Sequence, residues 1–162
     1  MSTLGHAPRV IGVYRSDALP RGAREVALAL WQVADPGNVG AVLRIADAFG
    51  AAVALSSGCA DPVGPRALRA SAGGIFRVPL MDWGAVPETR VALVAHGGEP
   101  LADAVLEPPL TFLLGSEREG LPVDLVTDCH KATIPLPGAA ESLNVAAAGA
   151  IALYELSRRA RT

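Results

Sequence analysis

Short apolar runs alternate with amphipathic stretches along most of this chain. Val26 to Val33, reading VALALWQV, is nearly continuous in apolar character, which predicts a strand buried on both faces of a parallel sheet. Ala52 to Leu55, Ile75 to Leu80, Arg90 to Ala95 and Leu110 to Leu114 also have strand length, although Pro79 weakens the end of the third. Between the first two runs, Val39, Val42, Leu43, Ala46 and Phe49 form the apolar stripe of a helix that Gly50 ends, turning Arg44 and Asp47 to another face. Pro65 suits the first turn of a short helix closed by Gly73-Gly74. Pro122 starts a helix to about His130, with Val123, Val126 and Thr127 facing inward. The alternation predicts an α/β fold, a mainly parallel sheet with helices on both faces.

The last part of the pattern, Ile134 to Leu156, takes an apolar strand end through a stiff loop into a long helix. Pro135 and Pro137 remove two backbone donors and fix two φ angles, so the loop joins neither sheet nor helix. Ser142 is well placed to cap the helix, with Asn144 in or next to its first turn, where unpaired N–H groups favour a ligand oxygen or anion. Leu143, Ala147, Ala150, Ile151 and Tyr154 recur at helical spacing. Gly149 costs about 1 kcal/mol relative to Ala in mid-helix, which implies that another backbone comes near it.

The chain has 162 residues, 51% of them hydrophobic, enough to bury the core of one domain. No apolar run approaches the ~20 residues that span a bilayer, and the amino-terminal MSTLGHAPRV lacks a signal-peptide core, so a cytoplasmic protein with no membrane partner is expected. Cys59, Cys129 and three scattered histidines offer neither a disulfide framework nor a zinc spacing, so nothing calls for a metal. A net charge of −2 argues against a protein that coats polyanions wholesale but leaves room for a local basic patch. Arg66 and Arg69, three residues apart on one helix face, with Arg77 just beyond, make such a patch. Residues 1–24 carry Arg9, Arg15, Arg21 and Arg24 and read either as a small extension packed on the domain or as the remnant of a lost module.

Several nucleotide sites are excluded by inspection. The chain has no G-x-x-x-x-G-K-[ST] loop, no G-x-G-x-x-G after the first strand, and no G-x-S-x-G elbow. Three strand-end segments remain as candidate chemistry: Asn38 to Arg44, Gly115 to Gly120, and Ile134 to Asn144. Ligands in open α/β sheets usually bind at the carboxyl edge of the strands.

Together these segments closely resemble the signature of the SpoU/TrmH branch of the SPOUT RNA methyltransferases. Asn38-Val-Gly40-Ala-Val-Leu-Arg44 looks like the family's N-x-G-x-x-x-R motif, and Gly115-Ser-Glu117-Arg-Glu-Gly120 is similar to its G-x-E-x-x-G. Ile134-Pro-Leu136-Pro-Gly138, then Ser142-Leu143-Asn144-Val145, resembles I-P-x-x-G followed by S-L-N-V. The resemblance covers roughly residues 25 to 157. It implies a SPOUT catalytic domain over 25–162, with a deep carboxyl-terminal trefoil knot as an exception to the rule of unknotted chains. It also implies S-adenosylmethionine held by Gly115, Ile134, Leu136, Leu143 and Asn144, with His96 nearby. The implied partners are RNA, either tRNA or ribosomal RNA rather than DNA, and a second copy of the chain in a homodimer.

Members of this branch methylate a ribose 2′-hydroxyl. Family analogy makes Arg44 the catalytic residue, often described as a general base. With a pKa above ~12 it is better suited to stabilise the developing alkoxide and position a phosphate while a neighbour or water takes the proton. Asn38, Glu117, Ser142 and Asn144 are then positioning residues, and Arg44, Arg66, Arg69, Arg77 and the Arg158-Arg159-Arg161 tail are candidates for RNA contact. The competing expectation is a homodimer that binds the methyl donor or RNA without catalysis, as a regulatory or assembly factor; a small-molecule-binding α/β domain is a third.

Overall fold

The computed structural model describes residues 12–160. Arg9 and Val10 of the amino-terminal segment, and Arg161 of the carboxyl-terminal tail, lie outside the described residues. The elements in chain order are β1 (Val26–Leu30), α1 (Pro36–Phe49), β2 (Ala52–Leu55), α2 (Pro65–Ser71), β3 (Leu80–Met81), β4 (Thr89–Leu93), β5 (Glu99–Pro100), β6 (Leu110–Leu114), α3 (Val123–Val126), β7 (His130–Thr133) and α4 (Val145–Arg159).

The strands form one seven-stranded sheet in the order β3-β2-β1-β6-β4-β7-β5, with every pair parallel. From β1 the chain winds outward to β2 and β3, then returns so that β6 inserts between β1 and β4. The junction of β1 and β6 is therefore the point where strand order reverses, and loops leaving the two strands diverge there to open a crevice. The motifs that follow β1 and β6 flank this crevice.

Side-chain alternation sorts the sheet into two unequal layers. Leu28, Leu30, Val53, Leu110, Phe112 and Leu114 pack into one core with Val39, Val42, Leu43 and Ala46 of α1 and Val145, Ala152, Leu153 and Leu156 of α4. Burying each of the larger residues contributes roughly 1.5–3 kcal/mol. The opposite face presents Ala27, Ala29, Ala52 and Ala54, a shallow surface covered by Met81, Trp83, Leu121 and Leu125. The long helices thus share one face, and the single turn of α3 with the segment around Trp83 suffices for the other, because four alanines leave little depth to fill.

Several element boundaries differ from the sequence expectation for local reasons. β1 stops at Leu30, because Gln32 adopts a left-handed φ of 50° and donates its N–H to Ser56 Oγ at 2.9 Å rather than to a strand. The expected third strand is instead a 3-10 turn at Gly74–Phe76 followed by the two-residue β3; a Cβ on Gly74 would lie 3.0 Å from the Leu43 carbonyl oxygen, so the turn is pinned against α1. α3 closes after one turn, with Val123 80% exposed rather than inward, because the chain re-enters the sheet as β7. β5, inside a Gly- and Pro-punctuated stretch, pairs with Ala132 and Thr133 of β7 and carries no pattern of its own.

In α4 the cap is Asn144, not Ser142: its side-chain oxygen accepts from the N–H groups of Ala146 and Ala147. Gly149 meets the side chains of Leu114 and Leu28, not a backbone, since an added Cβ would lie 3.2 and 3.5 Å from their Cδ1 atoms. The row Ala147, Ile151 and Tyr154 faces outward, while Val145, Ala146, Gly149, Ala152, Leu153 and Leu156 are buried. At the other end of the described chain, Leu19 is buried and the Pro20 carbonyl accepts from the Leu80 N–H at 3.0 Å, so this part of the amino-terminal segment packs on the domain beside β3.

Candidate active site

Asp35 stands at the start of α1 and accepts the Asn38 N–H on Oδ1 at 2.9 Å, with Pro36 supplying the preset φ of the first turn. This cap fixes where the Asn38 side chain leaves the helix. Asn38 Nδ2 donates to Glu117 Oε1 at 2.6 Å, and Asn38 Oδ1 accepts from Asn144 Nδ2 at 2.9 Å. Asn144 Oδ1 in turn accepts from Ala146 and Ala147, at 2.9 and 3.3 Å. One hydrogen-bonded chain therefore joins a residue from each of the three sequence motifs and ends on the amino terminus of α4.

Glu117 sits in a turn that is itself tightly closed. Ser116 and Gly120 exchange backbone hydrogen bonds at 3.2 and 3.0 Å, and Ser116 Oγ accepts the Glu119 N–H at 3.2 Å. A Cβ at Gly115 would come within 2.1 Å of the Gly120 carbonyl carbon and 2.4 Å of the Leu121 nitrogen, so only glycine lets the two ends of the turn meet.

Beside this turn lies an open cavity of about 440 Å³ at the carboxyl edge of β4, β6 and β7. Its wall includes Gly115, Ile134, Leu136, Leu143 and His96 of the expected donor-binding set, together with Glu117 and Ser142, expected as positioning residues. Asn38 and Asn144 are not wall residues and reach it through Glu117. Arg44 is exposed on α1, outside the wall, and no hydrogen bond or ion pair joins it to another described residue. Arg66 approaches Asp35 at 3.5 Å, and Arg77 makes a paired contact with Asp47 through Nε at 3.0 Å and Nη2 at 2.6 Å. That guanidinium holds the Asp47 carboxyl below its usual range. Arg69 lies on α2 with an interaction of its own. Arg159 donates to the carbonyls of Leu101 and Ala104, at 2.7 and 2.6 Å, which turns that part of the tail to structural use.

The sequence reading missed Glu119, Glu141, Leu93 to Ala95, Val145 and Ala148, all on the wall. Leu93 to Ala95 leave the carboxyl end of β4, a position that the strand-edge rule marks as ligand-facing. The cavity size falls in the ~300–1,000 Å³ range of small-molecule sites. Apolar Leu93, Ile134, Leu136 and Val145 suit a flat aromatic ring, and the carboxylates of Glu117, Glu119 and Glu141, against the single guanidinium of Arg118, suit a ligand carrying positive charge. S-adenosylmethionine, with an adenine ring, a sulfonium and an ammonium, fits that donor set. Among the described residues, no group of three or more His, Cys, Asp or Glu is placed to hold a metal ion.

Comparison with known proteins points to one family. Residues 25–154 match the model of the SpoU rRNA Methylase family. The chain is 36% identical over 147 residues to the 23S rRNA (guanosine(2553)-2'-O)-methyltransferase of Bacillus subtilis, covering 83% of this chain and 58% of that protein. It is 34% identical over 141 residues to the 23S rRNA (uridine(2479)-2'-O)-methyltransferase of Streptomyces viridochromogenes, covering 76% and 49%. The fold superposes on an AdoMet-bound rRNA methyltransferase from Sinorhizobium meliloti with a TM-score of 0.77 at 33% identity, covering 86% of this chain and 58% of that one. The chain spans about half the length of the curated relatives it matches.

Proposed function

The chain belongs to the SpoU rRNA methylase family, and from that premise we propose that it transfers a methyl group from S-adenosylmethionine to a ribose 2′-hydroxyl of tRNA or ribosomal RNA. The observation that carries the reading is the convergence of all three motifs, through Glu117, Asn38 and Asn144, beside one cavity at the carboxyl edge of β4, β6 and β7.

When bound, the donor supplies an electrophilic methyl on a sulfonium. The residues of this chain supply alignment and charge. Gly115, Ile134, Leu136 and Leu143, with His96, hold the donor. Transfer is an in-line displacement, so a small misplacement of the ribose is costly. Arg44, exposed and without a hydrogen-bond or ion-pair partner among the described residues, stabilises the developing alkoxide and contacts the adjacent phosphate. Asn38, Ser142 and Asn144 keep the site in register. Arg66 and Arg69 on α2, with Arg77 beyond it, are the candidates for contact with the phosphate backbone, and the need for a 2′-hydroxyl makes the substrate RNA rather than DNA.

The same reading takes 25–162 as the catalytic domain and 1–24 as an extension, and places the protein in the cytoplasm. It also includes the carboxyl-terminal trefoil knot; the insertion of β6 between β1 and β4, with the return of α4 across Leu28 and Leu114, supports it. A homodimer is part of the proposal too, supported by the outward row of Ala147, Ile151 and Tyr154 on α4, the last two 38% and 60% exposed.

Transfer of labelled methyl into total tRNA and into ribosomal RNA lacking its native marks, with Arg44→Ala as control, tests the function. Label on a ribose 2′-oxygen that vanishes in the variant supports it. Donor binding without labelled RNA favours a non-catalytic role, and absence of donor binding refutes the reading.

A further inference from the structure

The proton that leaves the 2′-hydroxyl needs an acceptor, and Arg44 is a poor one. A guanidinium carries donors only, with no lone pair to offer until it has been deprotonated. Acceptors that line the cavity are His96, Glu117, Glu119 and Glu141. Among the described residues Glu117 differs from the others in being anchored by a side-chain hydrogen bond, and the anchor has a direction.

That direction starts at α4. Asn144 Oδ1 is committed to the N–H groups of Ala146 and Ala147, so Asn144 must present Nδ2, a donor, to Asn38. Asn38 must then accept on Oδ1 and turn its own Nδ2 to Glu117. A flipped amide at either residue would set donor against donor or oxygen against oxygen, so the helix terminus fixes the polarity of the whole chain. Glu117 Oε1 is consequently held as an acceptor, and a proton on that oxygen would meet the Asn38 N–H. Oε2 makes no hydrogen bond to another described residue. The carboxylate is thus fixed at one oxygen and available at the other.

Resting on the methyltransferase reading above, we propose that Glu117 is the general base of the reaction, receiving the ribose 2′-hydroxyl proton on Oε2. As the O–H bond gives its electron pair to the oxygen, that oxygen bonds the methyl carbon. The carbon–sulfur bond breaks with its pair retained by sulfur, leaving a neutral thioether. The proton ends on Glu117 and passes from there to water. Arg44 stabilises the partial negative charge on the oxygen and does not itself receive the proton.

Glu117→Gln separates base from positioner. Its amide oxygen still accepts from Asn38 Nδ2, so the anchoring bond survives while the basic lone pair is lost. Turnover should fall at least ~100-fold, as for loss of a general base. Affinity for RNA by filter binding should stay within about twofold of wild type, and affinity for S-adenosylmethionine by calorimetry should fall far less than turnover, because Glu119 and Glu141 remain on the wall to meet the positive charge of the donor. Glu117→Ala should recover turnover, saturably, on addition of sodium formate, with sodium chloride at equal concentration as the control for salt effects on RNA binding.

Glu117→Gln within about threefold of wild-type turnover would overturn the proposal. So would loss of donor affinity in step with turnover and no rescue by formate, which would make Glu117 a positioning residue. Wild-type protein that binds the donor but labels no RNA would instead refute the parent reading, and this one with it.

Discussion

Asn144 Nδ2 donates to Asn38 Oδ1 across 2.9 Å, joining residues 106 positions apart in the chain. The same Asn144 caps α4, so one side chain serves helix stability and site geometry through different atoms. Asn144→Asp divides the two. An aspartate still accepts from Ala146 and Ala147, and its charge suits a helix amino terminus. It has no donor for Asn38, whose amide must then turn its oxygen towards Glu117. The melting temperature should hold while turnover falls by about 10-fold or more, the signature of misplaced reacting groups. Asn144→Ala should in addition cost about 1 kcal/mol, read as a drop of roughly 2–4 °C by thermal denaturation.

Arg77 is a candidate for RNA contact that is already engaged. Its pairing with Asp47 across α1 draws a positive charge away from any phosphate. Asp47→Ala should release it and strengthen RNA binding at low salt, with a steeper dependence of affinity on salt concentration as one more cation becomes free to displace counterions. Unchanged affinity and slope would remove Arg77 from the RNA-binding set. The carboxyl of Asp47 is held below its ordinary range by Arg77. The pair therefore stabilises the fold above the unfolded carboxyl pKa of ~3.9, and that contribution fades as pH falls through the folded value.

Much of this arrangement was legible in the sequence. β2 and β6 run over the expected residues, because a short apolar run bounded by turn residues has few other solutions in an alternating chain. The cavity residues Gly115, Ile134, Leu136 and Leu143 were marked by the family resemblance of their motifs, which fall at strand ends, whereas Asn144, marked in the same way, stands off the wall. Less was visible where two neighbours compete for one role. Ser142 and Asn144 are both good caps, and only the tertiary bond to Asn38 selects Asn144. The outward row of α4 has the same period as its buried row, so periodicity alone does not say which faces the core. β5 was hidden because two residues of sheet carry no period at all.

Gly40 and Gly149 look alike as helical glycines but stand in opposite surroundings. A Cβ at Gly40 would lie 2.4 Å from the Ala67 carbonyl oxygen and 2.6 Å from Ala70 Cβ, so α1 and α2 are in contact through it. Gly40→Ala must push the helices apart, at about 2–3 kcal/mol, or a melting temperature lower by roughly 5–10 °C. At Gly149 the nearest atoms are the ends of Leu114 and Leu28, which can give by a few tenths of an ångström. The helix gains about 1 kcal/mol of propensity from alanine there, so Gly149→Ala should leave the melting temperature unchanged or raise it. The order of the two variants in one thermal scan is the check.

The carboxyl end of α4 carries a pH-dependent clamp. Arg158 and Arg159 both donate to Glu155, at 2.7 and 2.8 Å, and these hydrogen bonds draw its carboxyl down to about 2. Arg159 also holds the carbonyls of Leu101 and Ala104, so Glu155 orients the guanidinium that ties the segment after β5 to α4. A folded value below the unfolded one of ~4.3 means that Glu155 adds stability above the unfolded pKa and loses it as pH falls towards the folded value. Between about pH 4.5 and 2, therefore, the wild type should lose stability that Glu155→Gln lacks from the outset. The two denaturation midpoints should differ most near neutral pH and converge in acid. Arg159→Ala should lower the midpoint at neutral pH and raise hydrogen exchange at the N–H groups of Leu101 and Ala104, whose neighbouring carbonyls it frees. Parallel pH curves for wild type and Glu155→Gln would show that the arginines hold α4 without help from the carboxylate.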